Sequence, residues 1–386
     1  MILKMEIKII GSTKPNYQIT KEEAILFSGK SAGICYMPDT IETLFNEKEE
    51  KTIKRAQSTL ERGHHSVFDH VTINLALSNI PKILAMILNN EGMYTTSEKS
   101  ARYTKMQASE KENKLYEKWI TFFSEEIEKQ YPKITEKQRI KLAQENARYL
   151  ISVFTPATIM EYSVSFRQLN YIASFFNNYI KNEPDSEFNK LLKPVLVEFN
   201  SKIQDLIIPN LNADIKQRGI SLFAKRNYKE EFGECYSCNY YGTFAELAQA
   251  QRHRTLRYNM TLEENPQFYI PKIIENNEKL KQEWLTDINL LKDLFPQGMI
   301  VKINERGTVE DFILKCKERL CGCAQLEIML QTKEILDKYI KNTKDSNQFV
   351  YEYLLPYEKG IRCTFKGWKC ASPCMWGAKD SLNRKI

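Results

Sequence analysis

At 386 residues the chain is too long for one ordinary core, so two domains are expected. Its 42% hydrophobic and 27% charged residues match a globular protein, and a membrane span would need an apolar run of about 20 residues that is absent here; a cytoplasmic location follows as the expectation. The net charge of +7 is spread along the chain without a basic arm, which favours discrete sites for small phosphorylated ligands over nucleic acid.

The first residues, Met1 to Ile10, interleave Lys4, Glu6 and Lys8 with apolar side chains and read as a strand rather than a signal peptide. Val71 to Leu77 alternates at period two, the pattern of a half-buried strand. Pro81 then suits a first helical turn leading into the apolar run Ile83 to Leu88, and a polar segment runs from Asn90 to Tyr103. Thr135-Glu-Lys-Gln138 is a capping box, and its helix sets Ile140, Ala143, Ala147 and Leu150 on one face with Arg148 beside them. Ser165-Phe-Arg-Gln168 starts another helix.

The second half repeats this order. A β-prone run over Cys235 to Tyr241 leads into the capping box Thr243-Phe-Ala-Glu246, whose helix ends in Gln249-Ala-Gln-Arg-His-Arg254. Thr308-Val-Glu-Asp311 is a looser counterpart of the Ser165 start, and Phe295-Pro296 takes roughly the place of Ile151-Ser152. The expected organisation is α+β, a tandem duplication over 1–210 and 211–342 with a cysteine-bearing tail over 343–386.

Nine cysteines, an odd number, argue against a closed disulfide framework. Cys235-x2-Cys238 and Cys363-x6-Cys370-x3-Cys374 could supply zinc ligands, but neither has a paired-knuckle spacing. Reduced thiols and no bound metal are the expectation.

The four histidines, His64, His65, His70 and His253, fall in two short segments. His65 and His70 stand five apart, not at helical ligand spacing, so a cluster that hydrogen-bonds a ligand or the backbone is expected instead of a metal site. Arg252-His-Arg254 is in isolation a solvated basic face, yet Gln249 lies one helical turn before Arg252, and a carboxamide beside a guanidinium can read a polar heterocycle and a phosphate together. Ser97-Glu-Lys-Ser-Ala-Arg-Tyr103 offers a hydroxyl, small-residue amides and an arginine, the parts of a phosphate cradle.

These three stretches resemble the flavin-dependent thymidylate synthases: Gly63-His-x-Ser-x-Phe-Asp-His70, Glu98-x-Ser-x-Arg-Tyr103 and Gln249-x-x-Arg-His-Arg254. Phe268-Tyr-Ile-Pro271 resembles the segment that follows the family motif, and Arg319-Leu-Cys-Gly-Cys-Ala-Gln-Leu-Glu-Ile328 the closing helix. The resemblance implies two diverged copies of that α+β fold, a sheet packed with long helices, with the motif split between them. The first copy keeps Glu98-Lys-Ser-Ala-Arg-Tyr103 but has Asn90-Glu-Gly92 where Arg-His-Arg belongs and Ile87 for the glutamine. The second keeps Gln249 and Arg252-His-Arg254 but has Met260-Thr-Leu-Glu-Glu264 for the other half. Arg148 matches the family's phosphate arginine and has Lys292 as its counterpart in the second copy, while Arg319 matches the ring-facing arginine, whose place in the first copy is taken by Phe176 or Asn177.

The family builds each site from two subunits, so the resemblance implies one whole site from copy two against copy one, and none from the opposite pairing. It implies an FAD-dependent methyltransferase that converts dUMP to dTMP, with NADPH and methylenetetrahydrofolate as co-substrates. The dUMP side would comprise Gln249, Arg252, Glu98, Ser100, Ala101, Arg102, Arg148 and Arg319. The flavin side would comprise Arg252, His253, Arg254, Ser66, Glu98 and Arg167, with Arg319 and His64 as catalytic groups. A homodimer forming a pseudo-tetramer is the implied assembly. The competing readings are a uridine nucleotide C5-methylase or hydroxymethylase, and a non-catalytic nucleotide- or RNA-binding paralogue.

Overall fold

The computed structural model describes residues 4–13, 19–34, 40–100, 106, 108–214, 218–225 and 228–386. In the first part of the chain come β1 (Glu6–Ser12), α1 (Lys21–Gly33), α2 (Ile41–Phe45), α3 (Glu49–Glu61), β2 (Thr72–Ile80), α4 (Lys82–Leu88) and β3 (Tyr94–Glu98). There follow α5 (Glu110–Gln130), α6 (Glu136–Ala147), β4 (Thr158–Ser165), α7 (Phe166–Asn182) and α8 (Glu187–Lys202). The rest comprises β5 (Glu231–Phe232), β6 (Cys235–Thr243), α9 (Phe244–Ala250), β7 (Arg257–Thr261), α10 (Glu278–Asn289), β8 (Ile300–Thr308), α11 (Val309–Arg319) and α12 (Leu326–Thr343). Two short helices, α13 (Gln348–Leu354) and α14 (Gly377–Asp380), lie in the tail. The fold is α+β.

The strands form two four-stranded antiparallel sheets with one shared order, β1-β2-β4-β3 and β5-β6-β8-β7. Their registers correspond as well. Thr72 pairs with Ser165 and Cys235 with Thr308, so each sheet's innermost pair ends at the cap of the following helix. Glu98 pairs with Met160 and Met260 with Ile303, equivalent places on the two outer strands.

The chain divides into two compact units that do not follow the sequence halves. One comprises 1–99 and 156–221; the other comprises 100–155 and 222–386. The helix pair α5 and α6 therefore belongs with the second sheet.

In the first unit, the alternation of β2 buries Ile73, Leu75 and Leu77 completely, and α4 buries every residue from Ile83 to Leu88. Pro81 is the cap of α4 rather than its first helical residue, with φ −66° and ψ 149°. The polar segment after α4 is not all loop, because Tyr94 to Glu98 pair with β4 as an outer strand.

In the second unit, α5 packs on α10 through Trp119 and Trp284, edge to face with centroids 4.9 Å apart. Lys118 and Asp287 form an ion pair at 2.5 Å on the same seam. The capping box at Thr135 is complete, and so is the looser one at Thr308. The face expected on α6 is only partly inward: Ala143, Ala147 and Leu150 are buried while Ile140 is 40% exposed. The segment after α6 meets its counterpart directly, since Val153 N donates to Phe295 O at 3.0 Å and Gln297 N to Ile151 O at 2.8 Å.

Candidate active site

The second unit concentrates the expected groups at the end of α9. Thr243 caps this helix by accepting from Glu246 N at 3.0 Å. The expected capping box is only half formed, because the backbone N–H of Thr243 donates to Glu327 instead, at 3.1 Å. The helix stops at Ala250, so Gln249 lies in its last turn and Arg252 to Arg254 in the following turn, where Arg252 N donates to Gln249 O at 3.2 Å. Gln249 and Arg252 thus do not share a helical face.

Arg319, the last residue of α11, closes this turn. Its Nη2 donates to Gln249 O at 3.1 Å and its Nε donates to His253 Nε2 at 2.8 Å. A guanidinium on carbonyls at a helix C-terminus is favourable both as a cap and against the helix dipole. Because Nε2 accepts, the imidazole is neutral with its proton on Nδ1. Burial, then the Arg319 charge, holds His253 down to about 2.

Arg148, just after α6, enters the same site from the sequence's first half and is only 6% exposed. Its Nη2 donates to Gln325 Oε1, and its Nε is buried without a hydrogen-bond partner. Gln249 Nε2 donates to the same Gln325 oxygen. Gln325 Nε2 donates to the Tyr149 hydroxyl, which in turn donates to Glu327 Oε2 at 2.6 Å. Glu327 also accepts from Thr243 Oγ1 at 3.0 Å. Burial raises the Glu327 carboxyl and pushes the Tyr149 phenol well up.

Behind α9, Glu246 is fully buried with one unpartnered oxygen, and burial pushes its carboxyl up to about 8. Lys315 and Glu305 form an ion pair at 2.5 Å with both side chains fully buried, joined by Tyr236 OH donating to Glu305 at 3.1 Å.

Of the expected site residues, Gln249, His253, Arg319 and Arg148 thus converge in the second unit. Arg252 and Arg254 sit beside them and are exposed. Ser100 is half-buried, and Ala101 and Arg102 lie outside the described residues. The remaining four belong to the first unit. Glu98 pairs with Lys82 at 2.6 Å, and Arg167 with Asp69 at 2.6 Å. His64 and Ser66 are exposed. His65 is the buried member of its cluster, between the Tyr171 hydroxyl at 2.9 Å and Leu60 O at 3.2 Å, which is the backbone-bonded role expected of it.

Sequence reasoning missed Gln325, Tyr149, Glu327 and Glu246. Gln325 stood inside a quoted segment, but nothing in its spacing tells a site residue from a helix start.

Among the described residues, no group of three His, Cys, Asp or Glu side chains is arranged to hold a metal. No described helix is long and apolar enough to cross a membrane.

A buried arginine with a neutral partner, an arginine–histidine pair and a carboxamide lie together on an α+β scaffold, a donor set chemically suited to an anion and a polar heterocycle. Residues 20–203 match the family described as thymidylate synthase complementing protein. No curated protein matches the chain. Among solved structures, it is similar to the UMP/dUMP methylase PolB of Streptomyces cacaoi bound with 5-Br dUMP, at 14% identity and TM-score 0.36, covering 54% of this chain and 93% of that one. It is also similar to thymidylate synthase X of Helicobacter pylori with FAD and dUMP, at 15% identity and TM-score 0.31, covering 54% and 99%. Likenesses this distant add nothing to the account of the site.

Proposed function

We propose that the second unit binds one uridine nucleotide, dUMP, and that the chain is an FAD-dependent thymidylate synthase that methylates C5 of the ring. The observation that carries this reading is Arg148. A buried guanidinium whose bonded partner is a carboxamide bears a large desolvation cost, which a phosphate would offset. Charge-assisted bonds from Arg148 to phosphate are the strong kind. The segment Ser100-Ala-Arg102 is proposed to complete the phosphate grip.

Gln249 would present its amide to the uracil edge. Arg319 would face the ring and stabilise negative charge developing on it when N3 is deprotonated, a role for a fixed guanidinium. His253, held neutral, leaves Arg319 as the charged member of that pair. The residues present fit a flavin at the outer edge of this site, since Arg252 and Arg254 are exposed cations suited to a pyrophosphate. When bound, FAD would supply the hydride taken from NADPH, with methylenetetrahydrofolate supplying the carbon. Ser66, Glu98 and Arg167 are proposed for the flavin and His64 for the folate or nicotinamide side, each on the family resemblance. The proposed duplication over 1–210 and 211–342 would make a dimer the equivalent of the family's four-unit assembly.

The test is tritium release from 5-tritiated dUMP, with UMP as the parallel substrate, by the flavin-loaded protein with NADPH and methylenetetrahydrofolate. Release from dUMP is expected. Nucleotide binding without release from either substrate would make the chain a binding protein and overturn the enzymatic reading.

A further inference from the structure

Gln325 is 3% exposed and stands at the N-cap of α12, yet its side chain makes no capping bond there. It is turned instead toward Arg148, Gln249 and Tyr149. Which end of the amide faces which group is decided by the network. Glu327 is held by the N–H and hydroxyl of Thr243 and accepts the hydrogen bond of the Tyr149 hydroxyl. The Tyr149 oxygen is then left as an acceptor, so it meets Gln325 Nε2. The carbonyl end of the amide must therefore face the two donors, Arg148 and Gln249. A fixed chain runs from the cap of α9 through Glu327 and Tyr149 to a single oxygen that two site residues share.

Resting on the nucleotide-site reading above, we propose that Gln325 is the positioning residue that spaces the phosphate arginine from the uracil-reading glutamine and keeps that arginine available. A neutral oxygen holds the guanidinium by one nitrogen without cancelling its charge. A carboxylate in that place would form a buried ion pair with Arg148 and compete with the ligand's phosphate. Gln249 would lose nothing, since its N–H donates to either acceptor. The glutamine thus tunes one side of the ligand, the phosphate, and not the other.

The experiment measures dUMP and deoxyuridine binding by calorimetry to the flavin-loaded wild type, Gln325→Glu and Tyr149→Phe. Gln325→Glu should weaken dUMP at least tenfold and leave deoxyuridine unchanged. Tyr149→Phe removes the acceptor that orients the amide, and it should weaken dUMP severalfold while flavin content stays constant. Equal weakening of dUMP and deoxyuridine in Gln325→Glu would mean that the residue merely supports the fold of the site, and wild-type affinity for dUMP in both variants would also overturn the proposal. A wild type that binds neither ligand would instead sink the nucleotide-site reading itself.

Discussion

The turn after α4 and the turn after α9 are equivalent places in two sheets of one order, and their chemistry is opposite. After α9 the turn carries Arg252, His253 and Arg254, with Arg319 donating to His253 and Arg148 reaching the neighbouring carboxamide. After α4 the same place holds Asn90, Glu91 and Gly92, and Glu91 is fully buried. Its carboxylate accepts from Ser221 N at 2.5 Å and from Arg218 at 3.5 Å, and its carbonyl accepts from Gln168 Nε2. Asn90 is bonded to Ser221 in both directions, at 2.7 and 3.0 Å. One turn is closed by the chain's own polar groups. The other gathers cations, and one of them, Arg148, bonds a neutral carboxamide. A turn whose polar groups bond one another is not built to attract an anion, and that contrast supports the proposed single ligand site per chain.

The largest effects should come from the cationic turn. Arg148→Met and Arg319→Ala, from different halves of the sequence, should each weaken dUMP by about ten- to a hundredfold, the worth of a charge-assisted contact of roughly 1.5–3 kcal/mol. If both serve the one proposed site, the double variant should be hardly weaker than the poorer single one in the same titration. Arg148→Met should also keep or raise Tm in calorimetric unfolding, because it removes a buried charge that has no carboxylate partner. A fall in both affinity and Tm would make Arg148 a structural residue.

The closed turn should respond in the opposite sense. Glu91→Ala leaves the Ser221 N–H and the Arg218 guanidinium without their acceptor, at a cost of roughly 1–3 kcal/mol in urea unfolding. Nucleotide affinity should not change. A second binding event appearing in this variant would show that the first unit's turn is a site merely blocked.

A smaller effect separates two groups near α9, Glu246 and His253, by pH. Glu246 has its folded pKa raised to about 8 from 4.5, so its stabilising contribution is complete below 4.5 and is lost as pH rises toward 8. His253 has its folded pKa lowered to about 2 from 6.5, so its contribution is complete above 6.5 and is lost as pH falls below that. The two oppose each other between 4.5 and 6.5, and of the two only Glu246 acts from 6.5 to 8. Unfolding midpoints should therefore fall between pH 6.5 and 8 in the wild type and fall less steeply in Glu246→Gln, where the raised Glu327 carboxyl remains. An unchanged slope in that variant would assign the effect to another group.

The scaffold was largely legible in the sequence, because strand alternation and helix caps are local. Val71 to Leu77 announces β2, and Thr135, Ser165, Thr243 and Thr308 all cap helices in the structure. What local pattern could not show is competition for a donor or acceptor by a distant residue. Glu327 takes the N–H that would have completed the box at Thr243, and Gln168 reaches Glu91 instead of its own cap. Arg148 and Arg319 were found only through family spacing, since a single arginine near a helix end has no signature. Gln325 was invisible for the same reason: its importance lies in partners 176 and 177 residues away. In sequence Asn90 to Gly92 is only a departure from the family motif, and the fold shows this turn bonded to Ser221.

The central claim, one nucleotide site per chain built around Arg148 and the turn after α9, is tested most directly by stoichiometry. Titrating dUMP into the flavin-loaded protein by calorimetry, with chain concentration fixed by amino-acid analysis, should give about one nucleotide per chain, and Arg148→Met should weaken that event by about ten- to a hundredfold. Two nucleotides per chain, or one that survives Arg148→Met with unchanged affinity, would contradict the account.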